Sequence, residues 1–406
     1  MKPILQFSLV CIKLLLHGGR LYWAWVGLLL ATIAMGIYFY SGQAASGMGV
    51  THLSDQVNWG LYISNFMFLG GVAAASVVLV IASYLYRRED VRNDAVIGLG
   101  IALAAVLMCQ LFILADLGRP DRIWHMIPFI GDFNFPYSML TWDALVLNSY
   151  LLFILWLAAS TLYARYHGRS ASTNRYQYGM GVLAIVLVLA MVVVESFLLS
   201  GHGARPLWNT AVLAPRFLAA AFAAGPALFI LVLQLVERFT EKQLHPPVID
   251  LLGWLLRLSV RVNLLLIAVE LFTEFYGGGE HSASAVYLYT GSLGRGLLTP
   301  WIWTALAFGI AAVAILSVRR LRERRRLLNL ACVLVVVEIW IEKGMGLVIP
   351  GFIPTPLGEV FEYLPALTEI LVSLGILAIG LLVFTFTAKI AIPIELGQVR
   401  ASPPTQ

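Results

Sequence analysis

The chain has 406 residues, of which 60% are hydrophobic and only 12% are charged. A soluble domain needs roughly 25% charged residues to solvate its surface, so this composition excludes a water-soluble globule. The formal net charge is +5, and the basic residues cluster beside apolar stretches, which indicates membrane orientation rather than nucleic-acid binding.

The first apolar stretch, residues 4–18, is short and is interrupted by Lys13 and His17. No small-residue cleavage site follows it, so it is predicted to be an interfacial amphipathic helix rather than a signal peptide. Ten longer apolar runs follow, each able to cross roughly 30 Å of hydrocarbon at about 1.5 Å per residue. They cover residues 22–40, 59–84, 95–117, 138–163, 177–200, 210–236, 250–276, 299–318, 327–349 and 363–388. The sequence therefore predicts an all-α polytopic transmembrane helix bundle of about ten spans.

Lysine and arginine are distributed unevenly between the two sides of this predicted bundle. If the N-terminus is cytoplasmic, the cytoplasmic segments hold nineteen of these residues and the opposite side holds four. The four are Arg119, Arg122, Arg205 and Arg295. Positive residues remain inside, so both termini are predicted to be cytoplasmic, in the inner membrane of a bacterium or archaeon. The basic run 319–326 is then a topology signal.

The predicted organisation has three parts. Residues 1–21 form the interfacial segment, residues 22–390 form the integral membrane domain, and residues 391–406 form a cytoplasmic tail. The second to fifth spans enter and leave the membrane in the same sense as the sixth to ninth. A parallel duplication would therefore give two four-helix bundles, 58–200 and 210–349, with flanking helices on either side.

Several ionisable residues lie inside the predicted spans, where each costs several kcal/mol unless it is paired or faces a cavity. The acids lean toward the outer half, and two arginines lie below them on one stripe of the seventh span. Groups of this kind can exchange protons at membrane depth. The predicted proton path comprises Glu195, Arg257, Arg261, Glu270, Glu274, Glu338 and Glu342. The competing interpretation is that these charges only pair between helices and hold the bundle together.

Cysteine and histidine positions argue against a bound redox centre. The cysteines Cys11, Cys109 and Cys332 are far apart and form no CxxC, so neither an iron–sulfur cluster nor a metal site is predicted. The seven histidines lie at span edges or in loops, whereas a b-type haem needs axial histidines inside facing helices. The sequence therefore predicts no haem. Only His202 is placed to join a site at the outer face.

Two segments carry a recognisable pattern. The second span begins NWG at 58–60 and continues NFMFLGGVAA at 65–74, and the third ends ADLGRPDR at 115–122, with SMLTWD at 138–143 opening the fourth. This pattern resembles the NrfD/polysulfide reductase membrane-subunit family. With HMIPFIG at 125–131 and ten spans rather than eight, the chain looks most like the DsrP group, the quinone-interacting subunits of the membrane complex associated with dissimilatory sulfite reductase.

The resemblance implies a membrane subunit of a respiratory complex that exchanges two electrons and two protons with menaquinone or ubiquinone near the outer face. Proton translocation across the membrane stays open at the level of the sequence. Its electron partner would be a ferredoxin-like iron–sulfur subunit on the periplasmic side. A b-type cytochrome, a multihaem c-type cytochrome and cytoplasmic iron–sulfur subunits would complete the complex. This chain would hold no redox cofactor of its own, so only the assembled complex would be a quinone oxidoreductase.

The resemblance also implies a quinone pocket among the second to fifth spans. Asp116 and Asp143 would be the catalytic, proton-passing carboxylates. A quinone head needs a hydrogen-bond partner at each carbonyl and a flat apolar neighbour for its ring. The implied quinone-binding residues are Asn58, Trp59, Tyr62, Asn65, Arg119, Trp142, Tyr150 and His202. Arg119 is expected to cap its helix and orient Asp116. Some family members place a histidine on the second span where this chain has Tyr62 and Asn65, which leaves the protonation partner open.

Two other functions remain open at this stage. A secondary transporter or ion channel would also need charges inside the membrane, although its site would lie at the midplane on broken helices. A purely structural anchor would use the same charges only to fix helix pairing.

Overall fold

The computed structural model describes residues 2–86, 88–168, 175–278 and 282–401, and apart from one isolated β-bridge every regular element in these ranges is helical. The N-terminal helices are α1 (Lys2–Leu16) and α2 (Arg20–Ser46). The next four are α3 (Leu61–Ala75), α4 (Glu89–Asp116), α5 (Met139–Tyr166) and α6 (Arg175–Ser200). The remainder are α7 (Leu213–Phe239), α8 (Pro246–Gly277), α9 (Ala283–Thr290), α10 (Thr299–Ser317), α11 (Arg325–Ile339) and α12 (Leu367–Glu395).

Two of these helices continue beyond a change in their winding. α3 runs on through Val77–Val80 into a π-helical turn at Ile81–Leu85. α11 runs on into a π-helical turn at Trp340–Met345 and then Gly346–Val348. Single π turns of this kind are frequent at functional sites, because they redirect side chains that a regular helix would place elsewhere.

Eight helical segments in the described part of the chain are long and apolar enough to cross a membrane: α2, α3 with its continuation, α4, α5, α6, α7, α10 and α12. Two further segments, α8 and the helical stretch 325–348, are of spanning length but carry more charge, and they pack alongside these eight. The prediction of an all-α polytopic bundle of about ten spans is confirmed.

The helices pack as two closed four-helix bundles. In the first bundle, α3 packs on α4, α4 on α5, α5 on α6, and α6 returns to α3. In the second, α7, α8, α10 and α11 close a ring in the same order. The two rings meet where α3 packs on α7 and on the π turn after α11. α2 and α12 pack on each other, and α12 packs on α4, so they flank the first bundle as predicted.

α3 lies at the centre of the protein, since 83% of its membrane-spanning window is buried, against 17% for α2. Its sequence explains this position. Gly70, Gly71 and the alanines 73–75 give a surface without bulky side chains, which lets neighbouring backbones approach closely. Gly225 of α7 sits directly against Ala75, so an added Cβ there would collide with it.

Helices lie near both ends of the chain, in the predicted interfacial segment and at the start of the predicted tail. α1 packs against α12, and Phe7 meets the ring of Tyr163 edge-on at 5.5 Å. Leu5 and Leu9 on α1 stay exposed, as an interfacial helix requires, and its membrane location stays a prediction. α12 ends at Glu395, within the segment predicted to be a tail, whose residues 402–406 lie outside the described part.

The flanking helices touch backbone to backbone. A Cβ built on Gly36 would lie 2.7 Å from the Cα atom of Gly375, and one built on Gly375 would lie 2.8 Å from the Cα atom of Gly36. We expect Gly375→Ala to force α2 and α12 apart and to destabilise the protein by about 1–3 kcal/mol. Thermal unfolding of the detergent-solubilised protein measures the effect. Gly27→Ala is the matched control, because Gly27 is exposed on α2 with no atom within 4 Å of its Cβ position. Equal melting temperatures for the two variants would contradict the close crossing.

Candidate functional site

A buried ion pair joins the two bundles. The ammonium group of Lys343, in the π turn after α11, lies 3.5 Å from Oε2 of Glu195 on α6, and both side chains are at most 2% exposed. The Lys343 Nζ atom also lies 4.2 Å from the ring centroid of Phe217, a cation–π contact that offsets part of the lost hydration. Charges this deeply buried persist only with such partners.

The glycine pair of α3 makes the space for this ion pair. A Cβ on Gly70 would collide with the carboxylate of Glu195, and a Cβ on Gly71 would lie 3.3 Å from Lys343 Nζ. The LGG segment therefore does more than let helices pack. It leaves a recess on α3 in which a carboxylate and an ammonium group meet.

Ionic contacts continue into the second bundle. Arg216 of α7 donates from Nε to Oε1 of Glu342 at 2.7 Å, and its two terminal nitrogens pair with Glu342 and with Glu270 of α8. Arg216, Glu270 and Glu342 are all buried. Glu342 directly precedes Lys343, so the two pairs are adjacent in the same π turn.

Two further carboxyl groups extend this set at either end. Asp143 of α5 is 1% exposed, is an electrostatic neighbour of Glu195, and has an Oδ2 atom without a hydrogen-bond partner in the described part of the structure. Glu338, one turn before Glu342, is fully buried and accepts a hydrogen bond from Asn263 Nδ2 at 3.3 Å.

We refer to this set as the buried charge row: Asp143, Glu195, Lys343, Glu342, Arg216, Glu270 and Glu338. It contains five carboxyl groups and two cations. The two cations can neutralise the charge of only two of the five carboxyl groups, so the row holds an excess of acidic side chains in a buried setting.

A small cavity lies beside one end of the row, with both apolar and charged residues in its lining. Its volume is about 20 Å³, and Arg216, Glu270, Glu274 and Tyr289 are among its lining residues. A water molecule needs about 10–15 Å³, so this cavity has room for one water among groups that can bond to it. Glu274 lies one turn beyond Glu270, as the sequence predicts.

The two arginines predicted to belong to the proton path do not lie in the row. Arg261 is exposed and donates from Nη2 to the Ser317 hydroxyl at 2.9 Å. The charged neighbours of Arg257 are Arg322, Arg261 and Asp250 rather than the buried acids. Both arginines lie on the face of α8 that points away from the buried acids. Their spacing in the sequence shows that they share a face of the helix, but not whether that face is packed.

Asp116 belongs to a different environment from Asp143. It ends α4, is partly buried, and has an Oδ1 atom without a hydrogen-bond partner among the described residues. Gln43 of α2 donates from Nε2 to the carbonyl of Ala115 at 2.7 Å and accepts from the Tyr62 hydroxyl at 2.8 Å. Tyr62 is thus held beside Asp116 by a residue of the flanking helix.

Glu369 of α12 completes this outer cluster and is an electrostatic neighbour of Asp116. It accepts hydrogen bonds from the backbone N–H groups of His52 at 3.1 Å and Ala366 at 2.8 Å, and from the Tyr363 hydroxyl. Tyr363 in turn accepts from the N–H of Leu61 at 3.0 Å.

The NWG segment has a structural explanation in this cluster. The ring of Tyr363 lies where a side chain at position 60 would be, so the glycine is required for contact between α3 and the segment before α12. Asn58 is exposed, and with its amide nitrogen facing the preceding turn it donates to the carbonyls of Ser54 at 2.7 Å and Asp55 at 2.9 Å. It therefore stabilises the entry to α3.

An apolar cavity of about 110 Å³ lies next to this cluster, between α2, α4 and α12. We call it the flank cavity. Its lining residues are Ile33, Gly36, Ile37, Tyr40, Leu111, Leu114, Ala115, Val372, Gly375, Ile376 and Ile379. Ala115, which lines the cavity, immediately precedes Asp116 at the end of α4.

Trp59 and His202, which were both predicted to bind the quinone, lie next to each other. They belong to a cluster of aromatic rings. Trp59 stacks on Trp208 with ring centroids 5.7 Å apart, and its ring meets His202 at 5.3 Å and Phe352 at 5.7 Å. Trp208 is fully buried and donates to the carbonyl of Leu347 at 2.8 Å. The cluster joins the two bundles at the end where α3 and α7 begin.

Two other predicted residues form hydrogen bonds between helices. The Tyr150 hydroxyl donates to the carbonyl of Ala73 at 2.8 Å and lies 2.9 Å from the Ser76 hydroxyl. Asn65 donates to Ser373 at 3.4 Å and accepts from the Trp340 indole at 2.9 Å. These contacts hold α3 to α5, α12 and the π turn.

The remaining two lie in the loop between α4 and α5 or at its edge. Trp142 donates to the carbonyl of Pro136 at 2.9 Å. Arg119 does not orient Asp116 as expected. It makes two hydrogen bonds with Asp121, at 2.9 Å and 3.0 Å, because the chain turns away from the helix after Leu117. This pairing lowers the pKa of the exposed Asp121 carboxyl.

Residues of these clusters that fall outside the predicted site include Arg216, Lys343, Glu369 and Gln43. The first three were visible as ionisable residues inside spans, but nothing local showed their partners. Gln43 gave no signal, since an amide near a helix end is ordinary at a membrane interface.

The fold and these clusters define an integral membrane protein with two four-helix bundles, a buried row of charged residues and a polar cluster at the end of α4 near an apolar cavity. The pattern of the family described as Polysulphide reductase, NrfD, matches residues 49–353, and the chain belongs to this family.

Similar proteins span nearly the whole chain. A putative membrane subunit of a dimethyl sulfoxide reductase from Halobacterium salinarum is 25% identical over 90% of this chain and 90% of its own length. An Hdr-like menaquinol oxidoreductase integral membrane subunit of Archaeoglobus fulgidus is 25% identical over 91% of this chain and 93% of its own. A selenate reductase subunit of Mesobacillus selenatarsenatis is 22% identical over 86% and 89%.

The recess on α3 yields a direct test. We expect Gly70→Ala to displace the Glu195 carboxylate and to lower stability by about 1–3 kcal/mol, measured by thermal unfolding in detergent. In a Glu195→Ala/Lys343→Met background, which removes both charges together, the same substitution should have little effect. Gly179→Ala on α6 is the control, because nothing lies within 4 Å of its Cβ position. An undiminished effect in the charge-free background would show that Gly70 serves only helix packing.

Proposed function

We propose that this protein is the quinone-interacting integral membrane subunit of a respiratory electron-transfer complex, using menaquinone or ubiquinone. One observation carries the proposal: Asp116, which has a carboxylate oxygen without a hydrogen-bond partner among the described residues, directly follows Ala115, a lining residue of an apolar cavity between helices. A lipid-soluble quinone needs both an apolar slot and a polar group that can exchange a proton at its ring oxygen.

Membership in the family supports the proposal. The Archaeoglobus fulgidus relative is described as a subunit of a menaquinol oxidoreductase, and the other two relatives are described as subunits of reductases. Segment 125–131 favours the DsrP group, and with it sulfur metabolism and an iron–sulfur partner subunit, with cytochrome b, multihaem cytochrome c and cytoplasmic iron–sulfur subunits in the same complex.

The residues around the flank cavity would have two different roles, binding of the quinone ring and exchange of its protons. The apolar side chains of α2, α4 and α12 would bind the ring and its tail and exclude water from them. Tyr40 contributes a ring to the lining and a hydroxyl 3.4 Å from the carbonyl of Leu114. Asp116 would accept or supply the proton that accompanies each electron. The electrons would come from, or go to, the partner subunit.

This assignment moves the site from its predicted place. Asp116 follows a lining residue of the cavity, whereas Tyr62, Asn65, Trp142 and Tyr150 have hydrogen-bond partners within the protein and do not line it. The quinone would approach from the flanking helices rather than from inside the first bundle.

We further propose that the buried charge row carries protons. Its excess of carboxyl groups over cations favours proton binding, and it connects α5 in the first bundle to α8 in the second. The nineteen-to-four distribution of basic residues favours both termini in the cytoplasm, so the Asp116 cluster and the small cavity would face the periplasmic side.

Replacing Asp116 tests the quinone site. We expect Asp116→Asn to lower quinol-linked turnover of the intact complex by about 10²–10⁴-fold, since an amide cannot exchange the proton. Assembly, followed by copurification of the partner subunits, should survive because the side chain keeps its shape. Asp121→Asn is the matched control: the same change, five residues along, at an exposed ion pair. Full turnover of Asp116→Asn would remove the proposal.

Replacing Glu338 tests the proton path separately. Glu338→Gln keeps a hydrogen-bonding group near Asn263 but removes a proton-binding site. In vesicles, quinol-linked electron transfer should continue while proton movement measured with a pH-sensitive dye is lost. Glu237→Gln, outside the row at the basic end of α7, is the control. Complete proton coupling after combined replacement of Glu195, Glu270, Glu274 and Glu338 would reduce the row to a structural anchor.

A further inference from the structure

A groove between α7 and α11 has no part in the clusters above. It has a volume of about 760 Å³ and lies between the last turns of α7 and the first turns of α11. This is the end of the bundle where the basic run 319–326 is found. The volume is within the usual range of ligand pockets.

The wall contributed by α7 changes from apolar to charged along the helix. Leu231 and Leu235 lie one turn apart, and Arg238 follows almost one turn later on the same face. α11 supplies Arg325, with Asn329 one turn deeper. Such a gradient matches the boundary between hydrocarbon and headgroups rather than the surroundings of a soluble ligand.

The charged groups of the lining leave positive charge available. Glu237 is the one acid on the lining, and both its oxygens are engaged, one by Arg325 and the other by the N–H of Leu244 at 3.3 Å. Arg325 also donates to Gln234 at 2.8 Å, so only two of its five N–H groups are used in these bonds. Arg238 has neither a hydrogen bond nor an ion pair with any residue that the structure describes.

Asn329 adds a second polar group to the groove, and this group lacks a hydrogen-bond partner in the described part of the structure. Its side-chain oxygen is buried from solvent and has no hydrogen bond within the described ranges. A buried acceptor of this kind is unfavourable unless a donor reaches it, so the groove is suited to an occupant or an ordered water that brings a hydroxyl group to this depth.

We propose that this groove binds an acidic glycerophospholipid, with its phosphate between Arg238 and Arg325 and its acyl chains along Leu231 and Leu235. Basic pockets between membrane helices bind acidic headgroups in this way. Guanidinium groups favour phosphate because they present paired donors to its oxygens. The apolar wall would be unused by a free anion, which is why a lipid is the better occupant. The proposal does not depend on the proposed quinone function.

The test uses the purified full-length protein, depleted of lipid in detergent and titrated with phosphatidylglycerol, phosphatidylcholine or inorganic phosphate. Native mass spectrometry counts the bound molecules. We expect one phosphatidylglycerol to bind selectively, and Arg238→Gln to weaken it roughly tenfold through loss of a charged hydrogen bond. Arg320→Gln, the same charge change on the basic run outside the groove, should bind as the wild type does.

Each remaining outcome has a defined meaning. The melting temperature of Arg238→Gln without lipid should equal that of the wild type, since Arg238 has no partner to lose within the described structure, so weaker binding would not reflect misfolding. Equal binding of phosphatidylcholine, or equal weakening by Arg320→Gln, would overturn a specific site. Binding of inorganic phosphate with the affinity of the lipid would overturn the lipid in favour of a free anion.

Discussion

The ion pair between Glu195 and Lys343 is the constraint on which the arrangement of the two bundles depends. Breaking such a pair on one side typically costs about 3–5 kcal/mol, because a charge is then left buried without a partner. The pair requires a recess on α3, which Gly70 and Gly71 provide. It also requires the π turn after α11, where consecutive residues reach different bundles: Glu342 contacts Arg216 within the second, and Lys343 contacts Glu195 in the first.

The two carboxylates that the family resemblance groups together are separated by this arrangement. Asp143 faces Glu195 and belongs to the buried charge row, whereas Asp116 faces the flanking helices and Glu369. Redox chemistry and proton movement would then occupy different regions of one protein. Helices α4 and α5, which carry these two carboxylates, pack directly on each other, and α3 contacts both regions.

The sequence predicts the helices well because a spanning helix is a local property, written in one continuous apolar run. It also identifies Glu195, Glu270, Glu338 and Glu342, since an acid within such a run is conspicuous. Partners are another matter. Arg119 bonds to Asp121 because of the direction that the chain takes after α4. Arg261 bonds to Ser317 because of which face of α8 is packed. The flank cavity was hidden for the same reason, since α2 and α12 lie at opposite ends of the sequence.

The flank cavity has an evolutionary consequence. The shared family pattern covers residues 49–353, so only the wall from α4 falls within it. The other two walls, with the Gly36–Gly375 crossing, are supplied by helices outside that pattern. Under the proposed function, the walls from α2 and α12 are the part of the pocket that can change to suit a different quinone tail while the shared family pattern and its buried charges stay intact.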